Sequence, residues 1–215
     1  MNIAQGAKNW IFIPFLCAII SGILVMLLSS TLQMIMVLLC FLLFLLTGLF
    51  LIFFRDPHRK IGPGIVAVAD GKIRTIQSRH DDHVGNSLFI STFMNIYNVH
   101  VNRMPVDGTI QKITHIPGSY LPAFTKESER NERIIYNIQS SIGPLKIIQI
   151  AGTLARRIVP YVTESTTLKK GEKLGIIRLG SRVDIYLPID IIKEPIIKKG
   201  TMVKAGVDRL AEINA

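Results

Sequence analysis

A chain of 215 residues with 49% hydrophobic side chains is long and apolar enough to bury a core, which excludes a disordered tail or linker. Its 25 Lys and Arg outnumber 15 Asp and Glu, and the net charge of +10 points to anionic partners, either nucleic acid or a lipid surface. The two cysteines, Cys17 and Cys40, both fall in apolar runs, so neither a disulfide framework nor a C-x-x-C metal site is available and no metal is expected.

In chain order, residues 1–54 carry one charged side chain, Lys8, and two apolar runs, 10–28 and 34–54, separated by Ser29, Ser30, Thr31 and Gln33. Crossing about 30 Å of hydrocarbon takes roughly 20 apolar residues, which the second run meets and the first approaches. Two runs without a small-residue processing site argue against a cleaved signal peptide. Lys8 precedes the first run, and Arg55, Arg59 and Lys60 follow the second. The positive-inside rule then predicts a transmembrane hairpin in the cell's inner membrane, with the N-terminus and residues 55–215 in the cytoplasm. All fifteen acidic residues and every basic residue but Lys8 lie after residue 54. No aromatic-studded basic strand or recognition helix stands out, so nucleic acid is not expected as a partner. A basic domain beside a membrane is drawn instead to anionic lipid, at about 1 kcal/mol per basic residue near the surface.

From residue 62 onward, short Ile- and Val-rich runs alternate with Gly and Pro at a period nearer two than 3.6. Strands are predicted at 65–68, 72–76, 87–91, 109–115, 133–138, 144–150, 174–179, 183–187 and 190–197. The fold class is therefore a mainly β, α+β soluble domain of barrel or sandwich type, carried on an N-terminal two-helix transmembrane hairpin. Asp70-Gly71 and Asp107-Gly108 read alike as turn dipeptides. Turn pseudo-repeats of this kind also suit a lipoyl-type sandwich, which keeps open a non-catalytic, membrane-anchored adaptor or carrier module.

The segment GIIRLGSRVDIYLP at 175–188 places Gly180 and Ser181 between two β-rich runs close to the end of the sequence. Gly-Ser is a common turn dipeptide, yet it is also a pair that can cut itself. The Ser181 hydroxyl can attack the Gly180 carbonyl, which a residue without Cβ leaves accessible, and turn the amide into an ester. β-Elimination then breaks the chain, and the dehydroalanine left from Ser181 hydrolyses with loss of ammonia to a pyruvoyl group. Such a ketone forms a Schiff base with an amine and acts as an electron sink.

FFRDPHR at 53–59, VADGKI at 68–73, NIYNVHVNRMP at 95–105, ERNERII at 129–135, IQIAGTLARRIV at 148–159 and KKGEKLGIIRLGSRVDIYLP at 169–188 form an ordered series. It resembles the phosphatidylserine decarboxylase proenzymes, in particular their short prokaryotic subgroup, over residues 53–190. The resemblance implies cleavage between Gly180 and Ser181 into a β chain of residues 1–180 and an α chain of residues 181–215 that remain partners, with a covalent pyruvoyl cofactor derived from Ser181. It implies decarboxylation of membrane phosphatidylserine to phosphatidylethanolamine and CO2. An archaetidylserine substrate, with other lipid tails, stays open. By the same resemblance Asp70 helps a histidine activate Ser181, and His100 takes the first of two histidine positions. Arg103 stands where the second would be, so either His100 serves both steps or Asp70 works with another group. Arg156 and Arg157, a solvated charge pair by default, are placed to meet a lipid phosphate.

Overall fold

The computed structural model describes residues 2–119, 130–152, 157–178 and 181–213. The chain divides into two compact units with the boundary between His58 and Arg59.

The first unit holds β1 (Asn2–Ile3), α1 (Lys8–Leu27), α2 (Ser30–Phe53) and β2 (Arg55–Asp56), with β1 and β2 paired antiparallel. The helices run 20 and 24 residues, enough to cross a bilayer, and turn Phe12, Met26, Leu27, Met34 and Leu45 outward. So large an outward apolar surface associates this unit with a membrane. Between the helices sit small residues: Ala18 and Ser21 are buried, Gly22 leaves room for the Cys40 sulfur, and Cys40 Sγ–H donates to the Ala18 carbonyl at 3.3 Å. The second helix begins at Ser30 rather than near Met34. Backbone groups in hydrocarbon must be bonded internally, so the polar residues are drawn into the first helical turn. Gln33 Nε2 meanwhile donates to the Val25 carbonyl near the end of α1, at 3.3 Å.

The second unit is built of β3 (Ile65–Val66), β4 (Gly71–Asp81), β5 (Gly85–Met94), β6 (Val101–Arg103), β7 (Gly108–Ile116), β8 (Arg133–Ser140), β9 (Gly143–Ala151), β10 (Arg157–Pro160), β11 (Thr167–Leu168), β12 (Lys173–Arg178), β13 (Ser181–Pro188), β14 (Ile192–Pro195), β15 (Met202–Val203) and β16 (Arg209–Ile213). An eight-stranded antiparallel sheet runs β11-β7-β8-β9-β13-β5-β4-β15, with two three-stranded sheets, β10-β12-β6 and β14-β16-β3. This is the mainly β domain that the alternation predicts. The strand predicted at 190–197 is instead a 3-10 turn, Ile189–Ile191, followed by β14. Pro188 carries no N–H for the ladder, and Pro195 ends the strand.

Strand alternation builds the core. On β13, Ser181, Val183, Ile185 and Leu187 face inward; their β9 neighbours Ala151, Gln149 and Ile147 and their β5 neighbours Met94, Thr92 and Ile90 share that face. Gly71 must be glycine, because at its φ of 157° a Cβ would lie 2.1 Å from the Phe93 carbonyl oxygen. Gly71→Ala is expected to cost about 3 kcal/mol. The check is the thermal midpoint of the detergent-solubilised chain, and an unchanged midpoint contradicts the packing described.

Candidate active site

Ser181 opens β13 on its inward face and is fully buried, a hydroxyl at the head of a row of aliphatic side chains. Its Oγ donates to the Met94 sulfur at 3.3 Å, directly across the β13–β5 ladder. A thioether is a weak acceptor, so the hydroxyl is held in place without being strongly bound.

His100 is also fully buried and immediately precedes β6. Its backbone carbonyl accepts from the Ile177 N–H at 3.4 Å, which carries the β6–β12 pairing to the strand leading toward Ser181. Nδ1 lies 2.8 Å from the Asn98 carbonyl. A carbonyl only accepts, so Nδ1 carries a hydrogen.

Asp70 lies at a bend before β4, as the turn reading expects, but its side chain is buried and bonded. Its carboxylate accepts from Arg59 Nη1 at 2.5 Å, Arg59 Nη2 at 2.8 Å and the Ala205 amide at 2.8 Å, and the pair is almost wholly buried. Asp107 does behave as the turn reading expects, accepting from the Lys170 N–H with an exposed side chain. Val66 N–H donates to the Pro105 carbonyl and Arg103 N–H to that of Val68, so residues 66–68 run antiparallel to 103–105, and the chain bends over 68–70 into β4. The Asp70 carboxylate is bonded to Arg59 and Ala205, and Ser181 Oγ to Met94. Arg103, at the second histidine position, donates to the Gly171 carbonyl at 2.9 Å. A guanidinium stays charged and supplies no base there.

Gly180 and Arg156 lie outside the described residues. Arg157 is exposed and stands directly opposite Arg178 in the β10–β12 ladder. Burial, and then the positive charge of Arg157, push the Arg178 guanidinium below its ordinary value, against a smaller opposing effect of Tyr161. Like charges placed opposite each other cost stability, and an anion between them offsets that cost. Sequence reading singled out Arg157 but not Arg178, whose partner strand is too short to show alternation. It also missed Met94, an ordinary core methionine until the strand register is known, and Arg59, counted there only as a membrane-flanking charge.

Breaking a buried ion pair by removing one partner typically costs 3–5 kcal/mol, and Asp70→Asn is expected to lose about that much. Urea denaturation in a Ser181→Ala background, where processing cannot differ, measures it. An unchanged midpoint contradicts the role of the pair.

The profile of the phosphatidylserine decarboxylase family matches residues 46–211. A protein of Streptomyces griseus named phosphatidylserine decarboxylase proenzyme is 45% identical over 159 residues, covering 74% of this chain and 71% of its own. The Streptomyces coelicolor protein of the same name gives 45% over 159 residues, with 74% and 70% covered. A Methanosarcina barkeri protein, provisionally named an archaetidylserine decarboxylase proenzyme, is 39% identical over 215 residues, with 98% of both chains covered. With a profile match across most of its length and relatives at this identity, the chain belongs to the phosphatidylserine decarboxylase family.

Proposed function

We propose that the chain cuts itself between Gly180 and Ser181 and then removes CO2 from phosphatidylserine, leaving phosphatidylethanolamine. As a member of its family it is a carboxy-lyase of phospholipid synthesis, which sets aside the adaptor reading. The observation that carries the proposal is Ser181 itself: a fully buried hydroxyl on the inward face of a central strand, with a thioether as its acceptor. Loss of that oxygen on elimination deprives Met94 of one weak hydrogen bond and leaves no strong polar partner unsatisfied, so the surroundings fit a pyruvoyl group derived from Ser181. That group supplies a ketone, reactive toward the amine of serine and able to take up the electron pair freed when the carboxylate leaves.

The chain's own residues do the rest. His100, buried and held through Nδ1 by the Asn98 carbonyl, takes the Ser181 hydroxyl proton during self-cleavage and later holds the proton delivered to the carbon that has lost CO2. Asp70, held by Arg59 and the Ala205 amide, fixes the bend that leads into β4. Arg157 and Arg178, with Arg156, bind the lipid phosphodiester. Severing the chain leaves residues 181–213 in place, because β13 is paired on both sides, β15 pairs with β4, and β16 pairs with β3. Residues 1–54 hold the enzyme where its two-tailed substrate resides, and the charges around the two apolar runs support a catalytic domain on the cytoplasmic side of the inner membrane.

A second lipid follows from the Methanosarcina barkeri relative, whose likeness extends through both units. Archaetidylserine presents the same serine phosphodiester on isoprenoid ether tails, and the residues proposed here meet only the headgroup. CO2 release from labelled serine lipids with ester or ether tails discriminates the two.

Ser181→Ala is expected to yield one uncut chain without activity; normal processing of this variant by mass spectrometry contradicts the proposal. In Arg178→Gln the KM for lipid is expected to rise roughly tenfold with kcat changed far less. An unaltered KM removes Arg178 from the substrate site.

A further inference from the structure

A line of buried polar side chains runs from Ser181 into the core. Tyr136 on β8 and Gln149 on β9 share the inward face of the large sheet, and Asn102 on β6 reaches them from the three-stranded sheet β10-β12-β6. Tyr136 Oη donates to Gln149 Oε1 at 2.6 Å, and Gln149 Nε2 donates to Asn102 Oδ1 at 2.6 Å. Asn102 Nδ2 then donates, at 3.7 Å, to the Met94 sulfur that also accepts from Ser181 Oγ. Tyr136, Gln149, Asn102, Met94 and Ser181 are all at 0% exposure.

The line has a fixed direction. Burial pushes the Tyr136 phenol well above its ordinary value, so it stays protonated and its O–H must find an acceptor. Only the oxygen of Gln149 can serve, which turns Nε2 toward Asn102; the oxygen of Asn102 must accept, which turns Nδ2 toward Met94. The donors of Tyr136, Gln149 and Asn102 therefore all point toward the Met94 sulfur, which the Ser181 hydroxyl meets from the other side. Aliphatic side chains at these three positions would bury as well, without the desolvation cost of two amides and a phenol, so the fold alone does not call for the network.

We infer that Asn102, oriented by Gln149 and Tyr136, is a positioning residue for self-cleavage, acting through Met94 on Ser181. Its N–H pins the Met94 sulfur, and the pinned sulfur selects the Ser181 rotamer that keeps Oγ on the inward face, while gripping the hydroxyl weakly enough to release it to a base. In the step served, the Ser181 Oγ–Gly180 carbonyl carbon bond forms, the Gly180–Ser181 C–N bond breaks, and the hydroxyl proton ends on the freed amine. The inference rests on the self-cleavage proposed above.

The test is pulse-labelled synthesis of the full chain in a cell-free system with phospholipid vesicles, following conversion to two fragments with and without hydroxylamine, which cleaves an ester at Ser181. Met94→Leu and Gln149→Leu are expected to slow conversion by at least tenfold, an order-of-magnitude expectation for a lost orienting contact, with no hydroxylamine-sensitive ester accumulating. Gln149→Glu, nearly the same size, removes the donor that orients Asn102 and is expected to slow conversion as well, which keeps the test decisive if the leucine variants fail to fold. Wild-type conversion rates in folded variants overturn the inference and leave the proposed function standing. Ester accumulation in the slowed variants also overturns it, by placing the defect after the attack. A wild-type chain that never converts overturns the proposed function itself.

Discussion

The structure turns on the period-two alternation of β13, which puts Ser181 on the same face as Val183, Ile185 and Leu187. A register slip of one residue would bring Arg182 inward and expose the hydroxyl. Pairing to β5 on one side and β9 on the other holds that register through the length of the strand. The same pairing makes a break before Ser181 tolerable. The new chain end would sit inside an intact sheet, and the short fragment would be retained by ladders to β5, β9, β4 and β3.

Around that strand, charge is spent in two ways. Arg59 and Asp70 neutralise each other out of water and tie the bend before β4 to Ala205, an arrangement that costs desolvation. Arg157 and Arg178 do the opposite, facing each other at the edge of a small sheet with like charges. The first pair is satisfied within the protein, and the second is the one proposed above to bind the lipid phosphodiester. The hairpin completes the arrangement, since an enzyme whose lipid substrate never leaves the bilayer gains from being held beside it.

Much of this was legible from the residues. The two apolar runs announced the helices, and apolar, β-branched runs punctuated by Gly and Pro announced β4, β5, β7, β8, β9, β12 and β13. Gly180-Ser181 stood out through its β-rich flanks. The short strands β6, β10 and β16 were not legible, since three to five residues are too few to show a period. What they position was hidden with them: Arg178 opposite Arg157, and Asn102 opposite Gln149. Asp70 looked like Asp107 because a D-G dipeptide carries no sign of burial, and only its partner Arg59 separates the two. Met94 gave no signal, since a methionine next to a serine hydroxyl is defined by register alone.

Native mass spectrometry of the purified wild-type protein, followed by denaturation and borohydride treatment, tests the central claim most directly. The account predicts a complex of full mass that separates on denaturation into residues 1–180 and 181–215, the smaller carrying a reducible keto group in place of its N-terminal amine. A single uncut chain that takes up no hydride contradicts it.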